Sequence, residues 1–274
     1  MRVNAYFVGD IYKEIYMALK KKADTLIHFI TYFIRIQFFT NVLSKVLPEL
    51  HNLKVLNLDI LDYKLKYQLN ISRFQHLEVL QTGYITIDTV NCLIKSSGGC
   101  LKKILIGDFE TYNDNLYDDS LLLIRTVREN CPLIECLSLV FITSDDHFIE
   151  LERLLRTCQY LKVLILETIA DFDEDETITY EQRGLAGEKL LNVLIKSTPI
   201  NLSVIGIFDE YFSINILGEF LENWRGRQAL SILTSNNEYE NEEFAKLIDK
   251  YKEEGVIKKF SDSDVQSIID NYGI

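Results

Sequence analysis

The side chains best equipped for chemistry in this 274-residue chain are five cysteines, Cys92, Cys100, Cys131, Cys136 and Cys158, and four histidines, His28, His51, His76 and His147. The cysteines are odd in number and lack C-x-x-C spacing, and the histidines fall in separate segments with no metal-ligand spacing. That pattern assigns no metal and points to a reducing compartment rather than a disulfide framework. Asp171, Asp173 and Asp175 follow the alternate spacing of a calcium loop. The sixth position, however, is Glu176 where such a loop turns on glycine, and the twelfth is Gln182 where it needs a bidentate glutamate. "SSGGC" (96–100) sets two glycines at a helix end, where a left-handed cap is their ordinary use. The chain holds no Walker loop, nucleophile elbow or dinucleotide fingerprint. These readings predict a protein that is not an enzyme and uses no cofactor or metal.

Charge narrows the partners. The net charge of −12 disfavours binding along a phosphate backbone or on an anionic membrane, both of which need clustered lysine and arginine. With 47% hydrophobic and 26% charged residues, the composition is that of a globular protein with a sizeable core. The start, "MRVNAYFVGDIYKEIYM", lacks a basic segment followed by a long apolar run, so no signal peptide is read. The most apolar window, "TLIHFITYFIRIQFF", is interrupted by His28, Arg35 and Gln37 and is shorter than the ~20 residues a membrane span needs. The expectation is a cytoplasmic or nuclear protein, not secreted, without nucleic-acid or membrane partners. "NIS" at Asn70 and "NLS" at Asn201 then match the glycosylation triplet by chance.

What positions these residues is a repeat. The pattern L-x-x-L-x-L, with Ile or Phe allowed, gives eight copies. They are "LIHFIT" (from 26), "LKVLNL" (53), "LEVLQT" (77), "LKKILI" (101), "IECLSL" (134), "LKVLIL" (161), "LSVIGI" (202) and "LSILTS" (230). Most spacings fall in or near the unit of ~20–29 residues typical of leucine-rich repeats. The 41-residue interval between the copies at 161 and 202 is longer and contains the acidic stretch "ADFDEDETITYEQRG" (170–184), read as a solvated inserted loop. Between copies, segments such as "DTVNCLIKSS", "SLLLIRTVRENC" and "SINILGEFLENWRG" show the three-to-four-residue apolar spacing of amphipathic helices. In "SDDHFIELERLLRTC", Ser144 or Asp145 can cap the helix, and Ile149, Leu151, Leu154 and Leu155 supply the buried stripe.

One unit is therefore a strand plus a returning helix, and neither buries its apolar face alone. The predicted fold is α/β: a single leucine-rich-repeat solenoid over residues 1–274, with about eight strand–helix units and a capping helix and strand near 241–261. It is a horseshoe, with a parallel sheet on the concave face and helices on the convex face. In "LKVLIL", Leu161, Leu164 and Leu166 point into the core, while Val163, Ile165 and Glu167 alternate to the concave side. Extending that register gives three outward rows. One runs from Val55 through Lys103 and Cys136 to Ile232, and a central one through Asn57, Gln81, Leu105, Ser138, Ile165 and Thr234. The third includes Tyr32, Asp59, Val140, Glu167 and Phe208. This mildly apolar surface with sparse polar groups suits a protein or peptide partner. Its candidate contact residues are Tyr32, Asn57, Asp59, Gln81, Lys103, Leu105, Ser138, Val140, Ile165, Glu167, Phe208 and Thr234. Trp224 is read as a helix-face core residue, with Arg225 and Arg227 capping the carbonyls of its own helix.

Cys131 and Cys158 each precede the first apolar strand residue by three positions, where other units have Leu50, Phe74 and Pro199. A small, apolar role for the thiol follows. Three stretches, "NCPLIECLSL" (130–139), "LERLLRTCQYLKVLIL" (151–166) and "LLNVLIKSTPINL" (190–202), resemble the cysteine-containing class of leucine-rich repeats. The ending "LENWRGRQALSILTS" (221–235) and "YKEEGVIKKF" (251–260) resembles that of F-box-like leucine-rich proteins of fungi. The resemblance implies the substrate-recognition part of an SCF-type ubiquitin ligase receptor, acting in ubiquitin-dependent protein catabolism. An F-box is an N-terminal helical module that docks on the adaptor Skp1. Here the first helix and strand begin near Ile11 and Leu26, leaving no room for one, so a Skp1-type partner is expected only with an F-box upstream. The alternative is a stand-alone scaffold with no ubiquitin link.

Overall fold

The computed structural model describes residues 5–31, 43, 45–59, 73–83, 85–107, 115–169, 180–208, 212–235 and 242–262. A first helix, α1 (Ala5–Lys22), precedes β1 (His28–Ile30), β2 (Val55–Asp59) and β3 (Val79–Gly83). From there helix and strand alternate: α2 (Ile87–Ser96), β4 (Lys103–Ile106), α3 (Leu116–Asn130), β5 (Cys136–Ile142), α4 (Asp145–Thr157) and β6 (Val163–Ile169). The series ends with α5 (Tyr180–Ser197), β7 (Val204–Phe208), α6 (Ile214–Trp224), β8 (Leu230–Thr234), α7 (Glu242–Glu253) and β9 (Ile257–Asp262). The nine strands form one sheet in the order β1 to β9, and every pair is parallel. The chain is thus an α/β protein with a nine-stranded, all-parallel sheet in sequential order.

Parallel neighbours in sequential order force the chain to return to the same end of the sheet after each strand, and the helices from α2 onward make that return. Each helix packs against the next, from α2 through α7. Serine and threonine caps start α2, α4 and α6: Thr86, Ser144 and Ser213 sit in extended conformation and accept from the N–H three residues on. In α4, Asp145 and Asp146 in the first turn and Arg156 in the last complement the helix dipole.

The core lies between helices and sheet. Leu56, Leu80, Ile104, Leu137, Leu164 and Ile205 meet Val90, Ile94, Ile124, Leu151, Leu154, Leu190 and Leu194 in one continuous cluster. Leu161, Leu164 and Leu166 are fully buried there. Each such leucine contributes roughly 1.5–3 kcal/mol by leaving water. On α4 the inward stripe is Phe148, Leu151, Leu154 and Leu155, whereas Ile149 is 47% exposed. The helix turns by about 100° per residue, so Phe148, three residues before Leu151, shares its inward face, whereas Ile149, two residues before it, lies about 200° round the helix.

Seven strands begin two residues after the first apolar position of their motif, as 53 gives Val55 and 161 gives Val163. The eighth does not. Val204 pairs with Ser231 and Gly206 with Leu233, and a bulge between Leu230 and Ser231 shifts the pairing to β9. Ile232 therefore joins the helix-side core and Leu233 turns to the other face. A one-residue offset exchanges the two faces of a strand. The outward placement expected for Ile232 and Thr234 is thus reversed.

Corners between helix and strand are built alike. Leu77, Ile134, Leu161 and Leu202 donate their N–H groups to the carbonyls of Phe74, Cys131, Cys158 and Pro199, at 3.0, 3.3, 3.3 and 3.1 Å. Phe74, Cys131 and Cys158 are completely buried at this position. Burial pushes the Cys131 thiol up to about 12 and that of Cys158 to about 11, so both stay protonated at neutral pH. After α2, Gly98 and Gly99 turn the chain at φ 68° and 82°, and a Cβ on Gly98 would lie 3.1 Å from the Gln75 Cα. Glycine there answers both the left-handed turn and the close approach.

Candidate functional site

The helix-free face of the sheet carries the expected contact residues, and it divides into two zones. From β4 to β8 it is closed: Leu105, Cys136, Val163, Ile165, Val204, Phe208 and Leu233 form a second apolar cluster to which no helix residue contributes. Leu105 and Ile165 are fully buried, and Val140 is buried as well. A Cβ on Gly206 would lie 2.8 Å from the Phe208 ring and 3.6 Å from Ile165 Cγ1, so Gly206 leaves the space in which the ring folds back. Ser138 is buried and donates to the Ile106 carbonyl at 3.1 Å. Burial raises the Cys136 thiol to about 12 despite the opposing charge of Lys103. A thiol held that high supplies no thiolate at neutral pH.

From β1 to β4 the face is partly open. His28 is exposed, and Ile30, Val79, Gln81, Gly83 and Lys103 are half-buried. Asn57, Gln81 and Leu105 stand side by side across three strands. Asn57 is buried, and Gln81 keeps its Oε1 atom out of solvent with no hydrogen-bond partner among the described residues. Glu167, farther along, is half-buried. Tyr32 lies outside the described residues, and of Asp59 only the backbone, in β2, is described. Thr234 is buried on the opposite, helix side, beside Ile205, Ile207 and Phe220. The structure therefore brings Asn57, Gln81, Lys103 and Leu105 together, and it separates Thr234 from them.

Sequence reading along the chain missed three polar constellations. The first is a charge ladder at the strand starts. Glu78 lies between Lys54 (3.3 Å) and Lys102 (2.7 Å), and Glu135 meets Lys162 at 2.5 Å. The lysine ammonium groups hold the Glu78 carboxyl below its ordinary range. The backbone carbonyls of the same positions accept the next strand's first N–H groups, as Lys54 does from Glu78 and Val79 at 2.8 and 2.9 Å. The signal was present: the second motif position reads Lys, Glu, Lys, Glu, Lys down successive copies.

The second constellation is Glu150, 3% exposed, whose carboxylate meets Arg125 (3.3 Å), Arg128 (2.9 Å) and Arg153 (2.8 Å). It ties α3 to α4. The third is His147, fully buried between the same helices, with Nε2 2.9 Å from Ser120 Oγ and Nδ1 2.8 Å from Ser144 Oγ. Tyr117 and Phe141 meet its ring edge-on. Burial lowers its pKa to about 4, so it is neutral at physiological pH. Ser120 is as fully buried as the ring, which gives the pair a packing role and no access for a substrate. Trp224 is 1% exposed and donates Nε1–H to the Gln228 carbonyl at 3.0 Å. Arg227 stacks over that ring and donates to Ile195 O (3.1 Å) and Thr198 Oγ1 (2.7 Å). It thus caps the end of α5, not of its own helix; Arg225 pairs with Glu222 and Glu254.

Among the described residues, no helix is long and apolar enough to cross a membrane, and no three His, Cys, Asp or Glu side chains are grouped to hold a metal ion. No protein-family model matches the chain, and no curated protein matches it.

Proposed function

We propose that the chain is a leucine-rich-repeat solenoid of the cysteine-containing class, bent into a horseshoe with the sheet on its concave side. Its role is to bind a protein or peptide partner over the β1–β4 end of that sheet. Sequential parallel strands, neighbour-on-neighbour helices and corners closed by the same backbone hydrogen bond, two of them at cysteine, support the repeat reading. Helices are wider than strands, so such a stack curves toward the sheet. The binding reading rests chiefly on Gln81. Its buried, unpaired Oε1 lies in the half-open zone of the face, where a partner's N–H would satisfy it. An orphaned buried acceptor costs about 1–3 kcal/mol, which such a bond would relieve.

The partner class follows from the resemblance of the 130–166 and 221–260 stretches to F-box-like leucine-rich proteins. The chain is the substrate-recognition part of an SCF-type ubiquitin ligase receptor, cytoplasmic or nuclear, and joins a Skp1-type adaptor only if an F-box is present upstream. Affinity purification of the full-length gene product, wild type beside Gln81→Arg, tests this. Skp1 with both proteins, plus a second protein lost from the variant, is the expected result. A second protein without Skp1 would replace the ligase reading with that of a stand-alone scaffold. Identical recoveries with both proteins would refute the site.

A further inference from the structure

We infer that a cationic notch at the corners preceding β2 and β3 binds a phosphate monoester. His51, Asn52, Arg73, Gln75 and His76, with Pro48 at the base, line a recess of about 290 Å³. That volume is at the small end of ligand pockets, which run about 300–1,000 Å³, and so fits a compact group. Two successive units build it, since His51 and Gln75 follow the equivalent corner residues Leu50 and Phe74. The corners are firmly set: Phe74 N–H donates to Ser96 O at 2.9 Å, and Asn52 Nδ2 donates to Asp24 O at 2.7 Å.

Charge identifies the ligand. In a chain of net charge −12, two of the four histidines and an arginine share one recess, and no carboxylate among the described residues lines it. The neighbouring acids are engaged elsewhere: Glu49 with Lys20 at 3.4 Å, and Glu78 with Lys54 and Lys102 at 3.3 and 2.7 Å. Arg125, Arg128, Arg153, Arg156, Arg225 and Arg227 each hold a carboxylate or a hydroxyl. Arg73 is the exception; among the described residues its exposed guanidinium holds no anionic partner. A free guanidinium fork matches phosphate oxygens bidentately, and the amide of Gln75 adds a neutral donor. The imidazoles of His51 and His76 add further N–H donors to the recess. The phosphoryl group can belong to a small metabolite or to a phosphorylated side chain of a protein.

Titration calorimetry of the full chain at low salt separates these sources, with inorganic phosphate, free phosphoserine and a degenerate phosphoserine peptide library with its unphosphorylated counterpart as probes. Saturable binding of phosphoserine is expected, weakened about tenfold by Arg73→Gln and to a smaller extent by His51→Asn/His76→Asn. All three positions are exposed, and far-UV dichroism confirms that each variant folds. Tighter binding of the phosphorylated library than of free phosphoserine assigns a protein ligand; equal or weaker binding assigns a small phosphoester. No saturable binding by any probe, or affinity unchanged in Arg73→Gln, overturns the inference.

Discussion

Lowering the pH from 7 to 5 should weaken this fold through one residue, His147. Its ring is completely buried, is hydrogen-bonded on both nitrogens by serine hydroxyls at 2.9 and 2.8 Å, and is boxed by Tyr117 and Phe141. Burial is the main cause that lowers its pKa from 6.5 to about 4; Arg125 adds to the effect and Asp146 opposes it. The unfolded chain therefore takes up this proton before the folded one does. The contribution of neutral His147 is full above pH 6.5 and falls away as pH drops toward 4. The difference between 6.5 and about 4 corresponds to roughly 3 kcal/mol in all, of which about 2 kcal/mol is lost between pH 7 and 5. With a urea m-value of about 2 kcal/mol/M, the unfolding midpoint should fall by about 1 M over that interval. His147→Gln, which does not titrate, should lose much less over the same interval, carboxylate effects being common to both proteins. Parallel decline of the two proteins would refute the assignment of a buried neutral imidazole.

Other substitutions probe the stack itself. Leu164→Asp puts an unpaired charge into the centre of the core and should cost more than about 4 kcal/mol, leaving no cooperative thermal transition at 37 °C. A melt close to wild type would disprove the register of β6. Glu78→Lys places three ammonium groups in a row and should lower stability by about 1 kcal/mol at low salt, most of it recovered in 1 M NaCl. Salt-independent loss would mean that the ladder is not electrostatic. Arg227→Ala removes the cap on α5 and the stacking over Trp224, and should reduce stability by about 1–2 kcal/mol in urea titrations.

The repeat was legible because apolar spacing reports directly on burial: seven motif copies placed their strands, and Leu161, Leu164 and Leu166 face the helices as their alternation requires. The eighth misled because Leu230 is apolar and buried at a bulge, where hydrophobicity no longer marks the face. Ile149 misled because it was read by its apolar character alone: two residues before Leu151 it lies about 200° round the helix, off the face that Leu151, Leu154 and Leu155 share. On the sheet's other face, composition suggested one continuous docking surface. It could not show that Phe208 folds over Gly206 and that the middle strands close, since that depends on contacts between units. The Lys–Glu ladder and the His147 cage were hidden for the same reason. Their partners in the neighbouring unit are 24–30 residues apart and meet only when successive copies are read side by side.

The binding claim is tested most directly by a photo-cross-linking amino acid placed at Gln81, with the same group at exposed Ile149 on α4 as the control. Irradiation of the full chain in its own cells should attach a discrete protein at position 81 and not at 149. Adducts at 149 alone, or the same adducts at both positions, would contradict a partner seated on the β1–β4 end of the sheet.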